Sequence, residues 1–256
     1  MRLVLLLWLL GCGTRGRPEL QAAVEAARGG DQRGALPHFI DALDAGGRHP
    51  ATYHGLGNAL YRGGHLGESI AAWRRGLTLA PRNGDIAANL SRAQRECRDH
   101  LDPPRTHREA FFWQAALSAR ESGLLASAFL AAGLMIAVVA RIRQTRTGRA
   151  QPRRASLWAS VLLFLGILLS VATWDGLQQR TGAVVVVPQV AARSTLGPEG
   201  VDLFVLHDGA EVRTVDRSQR HTLISLSDGR KGWVSSTALI STDPARPFPL
   251  DSLPRR

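Results

Sequence analysis

The sequence contains few of the residues from which disulfide, metal and catalytic sites are built. Two cysteines, Cys12 and Cys97, in 256 residues are too few for a disulfide-bonded scaffold or a cysteine-built zinc site. The eight histidines never show the His-Glu-x-x-His spacing of a zinc protease, and a glycine-rich phosphate loop is missing. We therefore expect no catalytic, cofactor-binding or metal-binding residues and no enzyme. A Ser-His-Asp triad that assembles only in space would leave no such spacing and stays open.

Acidic residues are missing from residues 141–154, which contain six arginines. The net charge of +11 raises the question of nucleic-acid binding, but this basic block lies between two uncharged segments, 123–140 and 157–174. At a rise of 1.5 Å per residue each segment spans roughly 27 Å, close to the thickness of the bilayer core. The sequence therefore predicts two transmembrane helices, 123–140 and 157–174, joined by a basic loop over 141–156, and no nucleic-acid binding.

The basic loop also predicts how the chain is oriented. Loops rich in arginine stay in the cytoplasm, so the segments before and after the two helices both lie on the other side. We expect a two-pass protein of the bacterial inner membrane with both flanking domains in the periplasm. The loop can also contact anionic lipid head groups.

Small residues recur at a spacing of four in both transmembrane segments. They are Gly123, Ser127 and Ala131 in the first segment and Gly166 and Ser170 in the second. Such a spacing lets helix backbones approach closely in lipid. We expect these residues to pack the two helices against each other; contact with a partner helix is the alternative.

The first residues have the outline of an export signal. Arg2 is followed by the short apolar run Leu3–Leu10 and by small residues, and eight apolar residues are too few to cross a bilayer as a helix. Leu9-Leu10-Gly11-Cys12 resembles the lipobox of bacterial lipoproteins. We predict a signal peptide or lipoprotein signal over 1–12, with Cys12 as the possible lipidation site. An uncleaved signal or a wrongly assigned start are the alternatives.

Residues 50–81, PATYHGLGNALYRGGHLGESIAAWRRGLTLAP, resemble a tetratricopeptide repeat, a pair of helices with a period of 34 residues. Tyr53 and Trp73 take the large aromatic positions of the pattern, and Gly57 takes a small one. One period before Trp73 the sequence has Phe39, as a degenerate earlier repeat requires. We therefore predict an all-α repeat domain over 18–100.

The resemblance implies that the concave face of the repeats binds a protein or peptide, although a spacer without a ligand is the alternative. Asn58, Tyr61 and Arg62 lie on the first helix of the clearest repeat and are our candidate protein-binding residues. Cys97, near the end of the repeat domain, is expected to be a packed thiol and not a reactive one.

After the second transmembrane segment, residues 183–242 contain short β-branched runs separated by Gly, Asp and Pro, which predicts a small all-β barrel. The order VAARS…GP…LFVLHDGAEVRTVD…LISLSDGRKGWVSSTALI resembles a bacterial SH3-like domain, whose ligands are peptides or cell-wall material. The family often has a tryptophan before its fourth strand; here His221 is near that position. We therefore expect Trp233 to belong to the core and not to a ligand groove.

The remaining segments are a predicted linker and interfacial segment over 101–122 and a predicted disordered tail over 243–256. Together, the signal, repeats, two-helix hairpin and SH3-like barrel resemble the BatE type of Bacteroides-aerotolerance proteins. The resemblance implies a non-catalytic envelope scaffold whose repeats bind partners, namely von Willebrand A-type Bat proteins and a MoxR-type AAA+ ATPase system. The alternative is a cell-wall sensor or anchor that binds peptidoglycan or peptides through the SH3-like domain.

Overall fold

The computed structural model describes residues 17–29, 32–99, 101, 117–148, 153–178, 181–196, 199–218 and 220–249. The chain divides into two compact units. One unit combines a stack of short helices with a β-sheet, although the two are far apart in sequence, and the other contains two long helices. The predicted signal and Cys12 lie outside the described residues.

Five helices form the stack, and consecutive helices pack against each other. The third helix also contacts the first and the fifth, so these three helices lie side by side. Side-chain caps start two of the helices: His49 accepts a hydrogen bond from Ala51 N, and Asn83 accepts one from Ile86 N. The helices are α1 (Arg17–Arg28), α2 (Gln32–Asp44), α3 (Pro50–Arg62), α4 (Leu66–Leu79) and α5 (Gly84–Glu96).

Glycines allow the large aromatic residues to fill the centre of this stack. Phe39 and Trp73 are both almost fully buried. A Cβ atom on Gly55 would lie 2.1 Å from the Phe39 ring, and one on Gly57 would lie 2.4 Å from Trp73 Nε1. The large and small positions that suggested a repeat are therefore in direct contact, which explains why the helices approach so closely.

The sheet has seven antiparallel strands in the order β3-β2-β6-β5-β4-β1-β7. Gly209 and Gly229 form turns with φ of 85° and 89°, as their Asp-Gly sequences indicate. The strands are β1 (Gly182–Val185), β2 (Gln189–Arg193), β3 (Asp202–His207), β4 (Glu211–Ser218), β5 (His221–Ser225), β6 (Lys231–Ser235) and β7 (Leu239–Ser241), with a short 3₁₀ helix, Ser236–Ala238, before β7. The mixture of helices and an antiparallel sheet confirms the coarse fold prediction.

The structure corrects the expectation for Trp233. On β6 the buried residues are Gly232 and Val234, and side chains alternate between the two faces of a strand. Trp233 therefore points away from the sheet core and is only half-buried. The prediction was wrong because an aromatic residue between glycine and valine gives no indication of which face it occupies.

The predicted disordered tail is wrong for residues 243–249. Phe248 is buried in the core of the helical stack, and the carbonyl oxygens of Arg246 and Pro247 accept hydrogen bonds from Arg75. The Pro- and Arg-containing composition indicates disorder, but the buried Phe248 side chain and the hydrogen bonds from Arg75 hold the segment against the stack.

In the described part of the second unit there are two helices, α6 (Ala119–Thr147) and α7 (Arg153–Gln178). Both are long and apolar enough to cross a membrane, and most of their large apolar side chains are exposed within the unit. Helix α6 begins four residues before the predicted segment, at a capping box formed by Ser118 and Glu121. It continues through residues 141–147, so the connection between the helices is shorter than the predicted loop.

Helices α6 and α7 pack against each other, but not through all of the predicted residues. Gly166 lies at the contact, where a Cβ atom would be 3.0 Å from Leu130 N. Gly123 has nothing within 4 Å of such an atom, and Ser127 and Ala131 are exposed. The buried positions of α6 are instead Ser122, Ala126, Gly133 and Ala140.

Candidate functional site

The candidate protein-binding residues lie on an open polar surface between α3 and α5. Asn58 Oδ1 accepts a hydrogen bond of 2.9 Å from Asn89 Nδ2, which also lies 3.2 Å from His54 Nε2. The Tyr61 hydroxyl donates to the Glu96 carboxylate. We name these five residues the α3–α5 face. Arg62 is exposed in the last turn of α3 and takes no part in these polar contacts.

The surroundings of the α3–α5 face favour the neutral forms of its histidine and its tyrosine. Burial lowers the pKa of His54, although Asp85 partly opposes the shift. The hydrogen bond to Glu96 raises the pKa of Tyr61. At neutral pH the imidazole and the phenol are both uncharged, so the face presents amide, imidazole and hydroxyl groups beside the Glu96 carboxylate, and these groups can pair with the backbone of an extended peptide.

Sequence reasoning named Asn58 and Tyr61 as candidates but did not name their neighbours Asn89 and His54. A step of 34 residues from Asn58 leads to Arg92 and not to Asn89. The partner of Asn58 is set by how α5 is placed beside α3, and the repeat period alone does not determine it.

A cluster of polar contacts joins the helical stack to the sheet. Helix α4 contacts β1 and β7. Arg74 forms a two-pronged ion pair with Glu211 on β4, with Nη2 2.9 Å from Oε1, and Gln94 on α5 donates to the same carboxylate. Such paired hydrogen bonds fix orientation as well as adding energy. The ion pair and the amide therefore hold α4, α5 and β4 in one geometry.

Arg75 is the centre of this junction and has no exposed surface. Its Nε donates to Ser241 O at 2.9 Å, and its terminal nitrogens donate to the carbonyl oxygens of Arg246 and Pro247 at 2.9 and 3.3 Å. The guanidinium carbon lies 4.7 Å from the centre of the Phe248 ring, a cation–π distance. One side chain of the stack thus binds the whole segment that follows β7.

The end of α5 meets the turn between β3 and β4. Asp99 Oδ2 accepts a hydrogen bond from the backbone N–H of His207, and Asp99 Oδ1 lies 3.0 Å from Nδ1 of the same residue. Cys97 is buried against Gly209, and burial raises the pKa of its thiol to about 11. The thiol is thus protonated at neutral pH, which confirms the prediction of a packed cysteine.

Among the described residues, no group of three or more His, Cys, Asp and Glu side chains is arranged to hold a metal ion. Comparison with protein-family models, with curated proteins and with solved structures finds no match to this chain. Proposals about its function therefore start from the surfaces described above.

Proposed function

We propose that this chain is a membrane-anchored, non-catalytic scaffold of the bacterial cell envelope, and that the α3–α5 face binds a protein partner. The observation that carries the proposal is the division of the stack into a covered and an open side. The sheet packs on α4 and on the end of α5, whereas Asn58 and Tyr61 stay partly exposed. An open row of hydrogen-bonding groups on stacked helices suits an extended peptide.

Two features support a two-pass anchor in the inner membrane. The apolar helices α6 and α7 lie between the stack and the sheet in the sequence, and their apolar side chains are mostly exposed. Because the stack and the sheet pack into one unit, they have to be on one side of the membrane. A hairpin of two transmembrane helices returns the chain to the side from which it entered and so meets this requirement. The arginines of 141–154 favour the cytoplasm for the connection, so we assign the packed unit to the periplasm.

The finer assignments follow from the resemblance. We take the helical stack to be tetratricopeptide repeats and the sheet to be an SH3-like barrel. The partners that this domain order implies are von Willebrand A-type Bat proteins and a MoxR-type ATPase system. Contacts between Phe39 and Gly55 and between Trp73 and Gly57 support the repeat assignment, because they place large and small residues as that family does.

Affinity purification of the full-length protein from its native host membranes tests the proposal. We expect the triple variant Asn58→Ala, Tyr61→Ala and Asn89→Ala to lose most of its co-purified protein, because it removes the hydrogen-bonding groups of the α3–α5 face. A control variant, Arg217→Ala, changes an exposed residue of the sheet and should retain the partner. Equal recovery with both variants would contradict the proposal.

A specific observation favours one second candidate, a cell-wall sensor or anchor. Trp233 is half-buried on the outer face of β6, beside Leu223 on β5 and Arg193 on β2, and a partly exposed aromatic ring can stack on peptide or sugar. Sedimentation with purified peptidoglycan would detect this binding. Under the sensor hypothesis Trp233→Ala abolishes co-sedimentation and Tyr61→Ala does not.

A further inference from the structure

We propose that the helical stack has a groove for proline-rich peptides, and that this chain fills the groove with its own residues 244–249, PARPFP. A proline-rich segment of a partner protein that contains one phenylalanine competes for the same place. We name residues 244–249 the strap, and we name the surface that holds it, centred on Arg48 and Arg75, the strap groove. This inference does not depend on what the α3–α5 face binds.

The strap groove binds three consecutive carbonyl oxygens of the strap. Arg48 Nη1 donates a hydrogen bond of 3.0 Å to Ala245 O. The two terminal nitrogens of Arg75 donate to Arg246 O and Pro247 O at 2.9 and 3.3 Å. Every residue type has a carbonyl oxygen, proline included. The two arginines therefore recognise the backbone of the strap and not the identity of these three residues.

The strap offers hydrogen-bond acceptors to the groove and not donors. The backbone N–H groups of Ala245 and Arg246 are bonded to Oδ1 and O of Asp243, next to the strap. The three prolines of the strap have no N–H group at all. Proline also keeps a segment extended, so that the segment loses little conformational freedom when it binds. The donors of the groove therefore suit proline-rich segments.

One aromatic side chain anchors the strap. Phe248 is buried in the core of the stack, and the centre of its ring lies 4.7 Å from the guanidinium carbon of Arg75. Pro244 is also buried, and the other four residues of the strap are exposed. Backbone hydrogen bonds with pockets for a few side chains are the way in which proteins bind extended peptides. A second segment with the same pattern can thus make the same contacts.

Two contacts outside the strap fix the position of the Arg75 guanidinium. Its Nε donates a hydrogen bond of 2.9 Å to Ser241 O on β7. Its guanidinium carbon lies 6.0 Å from the centre of the Tyr53 ring. These contacts direct the terminal nitrogens toward the strap whether or not the strap is bound. Donors that are already in position lower the cost of binding a peptide.

Fluorescence anisotropy with the full-length protein in detergent and a labelled PARPFP peptide, blocked at both ends, tests this inference. In the wild type the strap fills the groove, so Phe248→Ala, which weakens the strap, should raise the affinity for the peptide at least about tenfold. The peptide PARPAP should bind neither protein. In the Phe248→Ala protein, a further Arg48→Ala should weaken binding about fivefold, whereas the control Arg217→Ala, at an exposed arginine of the sheet, should not.

Rescue of a protein without the strap gives a second readout. In a full-length variant with GSGSGS in place of residues 244–249, excess PARPFP should slow proteolysis of the stack and PARPAP should not, because a ligand of the folded chain stabilises it. Equal affinity of the wild type and the Phe248→Ala protein for PARPFP overturns the inference. If the Phe248→Ala protein does not fold, the GSGSGS variant decides, and a lack of protection by PARPFP overturns the inference.

Discussion

Arg75 is the residue on which the packed unit depends most. Its guanidinium is fully buried and binds three backbone carbonyl oxygens that lie more than 160 residues away in the sequence. Backbone carbonyls leave no signature in a sequence, so neither the partners nor the burial of Arg75 could be predicted. The neighbouring Arg74 has a carboxylate partner, Glu211, but this residue lies on β4, 137 positions away in the sequence, so no helical spacing indicates the pair either.

Arg75→Met should destabilise the unit strongly. The substitution keeps most of the apolar side chain but leaves buried carbonyl oxygens without donors and removes the contact with Phe248. We expect the free energy of unfolding to fall by about 2–4 kcal/mol, measured by urea denaturation of the full-length protein with tryptophan fluorescence. Arg62→Met, on the exposed end of α3, should change it by less than about 0.5 kcal/mol; equal effects would refute this role for Arg75.

The junction between the stack and the sheet should be more stable in mild acid. Burial raises the pKa of both Glu68 and Asp208, and the charge of Asp208 raises that of Glu68 further. A carboxyl group with a raised pKa in the folded state binds its proton more tightly there than in the unfolded chain. Its stabilising contribution is therefore complete below the ordinary values of 4.5 and 3.8 and is lost as the pH rises through the raised values.

Glu68→Gln should make the stability of the unit depend less on pH. The measurement is the midpoint of urea unfolding at a series of pH values between acid and neutral. The control is Asp228→Asn, because hydrogen bonds from Arg230 lower the pKa of that exposed carboxyl and its contribution has the opposite sign. The control should leave the fall in stability with rising pH intact or make it steeper. An unchanged slope in the Glu68→Gln protein would show that burial at the junction does not control the effect.

At the scale of elements, periodic sequence patterns predict the helices and turns. They do not predict contacts that depend on where a neighbouring element lies. The apolar helices, the five helices of the stack and the Asp-Gly turns all follow from local patterns. The contact between α6 and α7 does not, because a spacing of four occurs on two sides of α6 and only the position of α7 selects Gly133 over Gly123. The sequence also does not predict that Trp233 points outward, because the face that it occupies depends on how β6 lies in the sheet.

Gly133→Leu should therefore separate α6 from α7, whereas Gly123→Leu should be tolerated. A Cβ atom at Gly133 would lie 3.1 Å from Ala159 O, a backbone atom that cannot move aside easily, and one at Gly123 would meet nothing within 4 Å. Titration with sodium dodecyl sulfate, followed by tryptophan fluorescence, measures how readily the hairpin comes apart. The prediction fails if both variants respond as the wild type does.

At the scale of the whole molecule, the main surprise is that the helical stack and the sheet form a single unit. Composition and repeat patterns divide the chain into separate domains, because the contacts that join them connect residues more than 100 positions apart, as in Arg74–Glu211 and Asp99–His207. The same limit explains the tail. The proline and arginine content of residues 243–256 predicts disorder, whereas Phe248 in this segment belongs to the core of the stack.

Deleting residues 243–256 should therefore loosen the entire unit and not merely remove a tail. The deletion takes away Phe248 and two of the carbonyl oxygens that bind Arg75. We expect much faster proteolysis of both the stack and the sheet. Deletion of 251–256 alone serves as the control and should leave the proteolysis rate unchanged; if the longer deletion also changes nothing, the segment has no structural role.

The central proposal is that the open face of the stack holds a protein partner in the envelope. The most direct test is photo-crosslinking in cells of the native host, with a photoreactive residue in place of Arg62 and, as the control, of Arg217, followed by mass spectrometry. A scaffold predicts von Willebrand A-type proteins linked at position 62 and not at 217. Recovery of cell-wall material or wall enzymes alone, and only through the sheet, would contradict the proposal and favour the sensor.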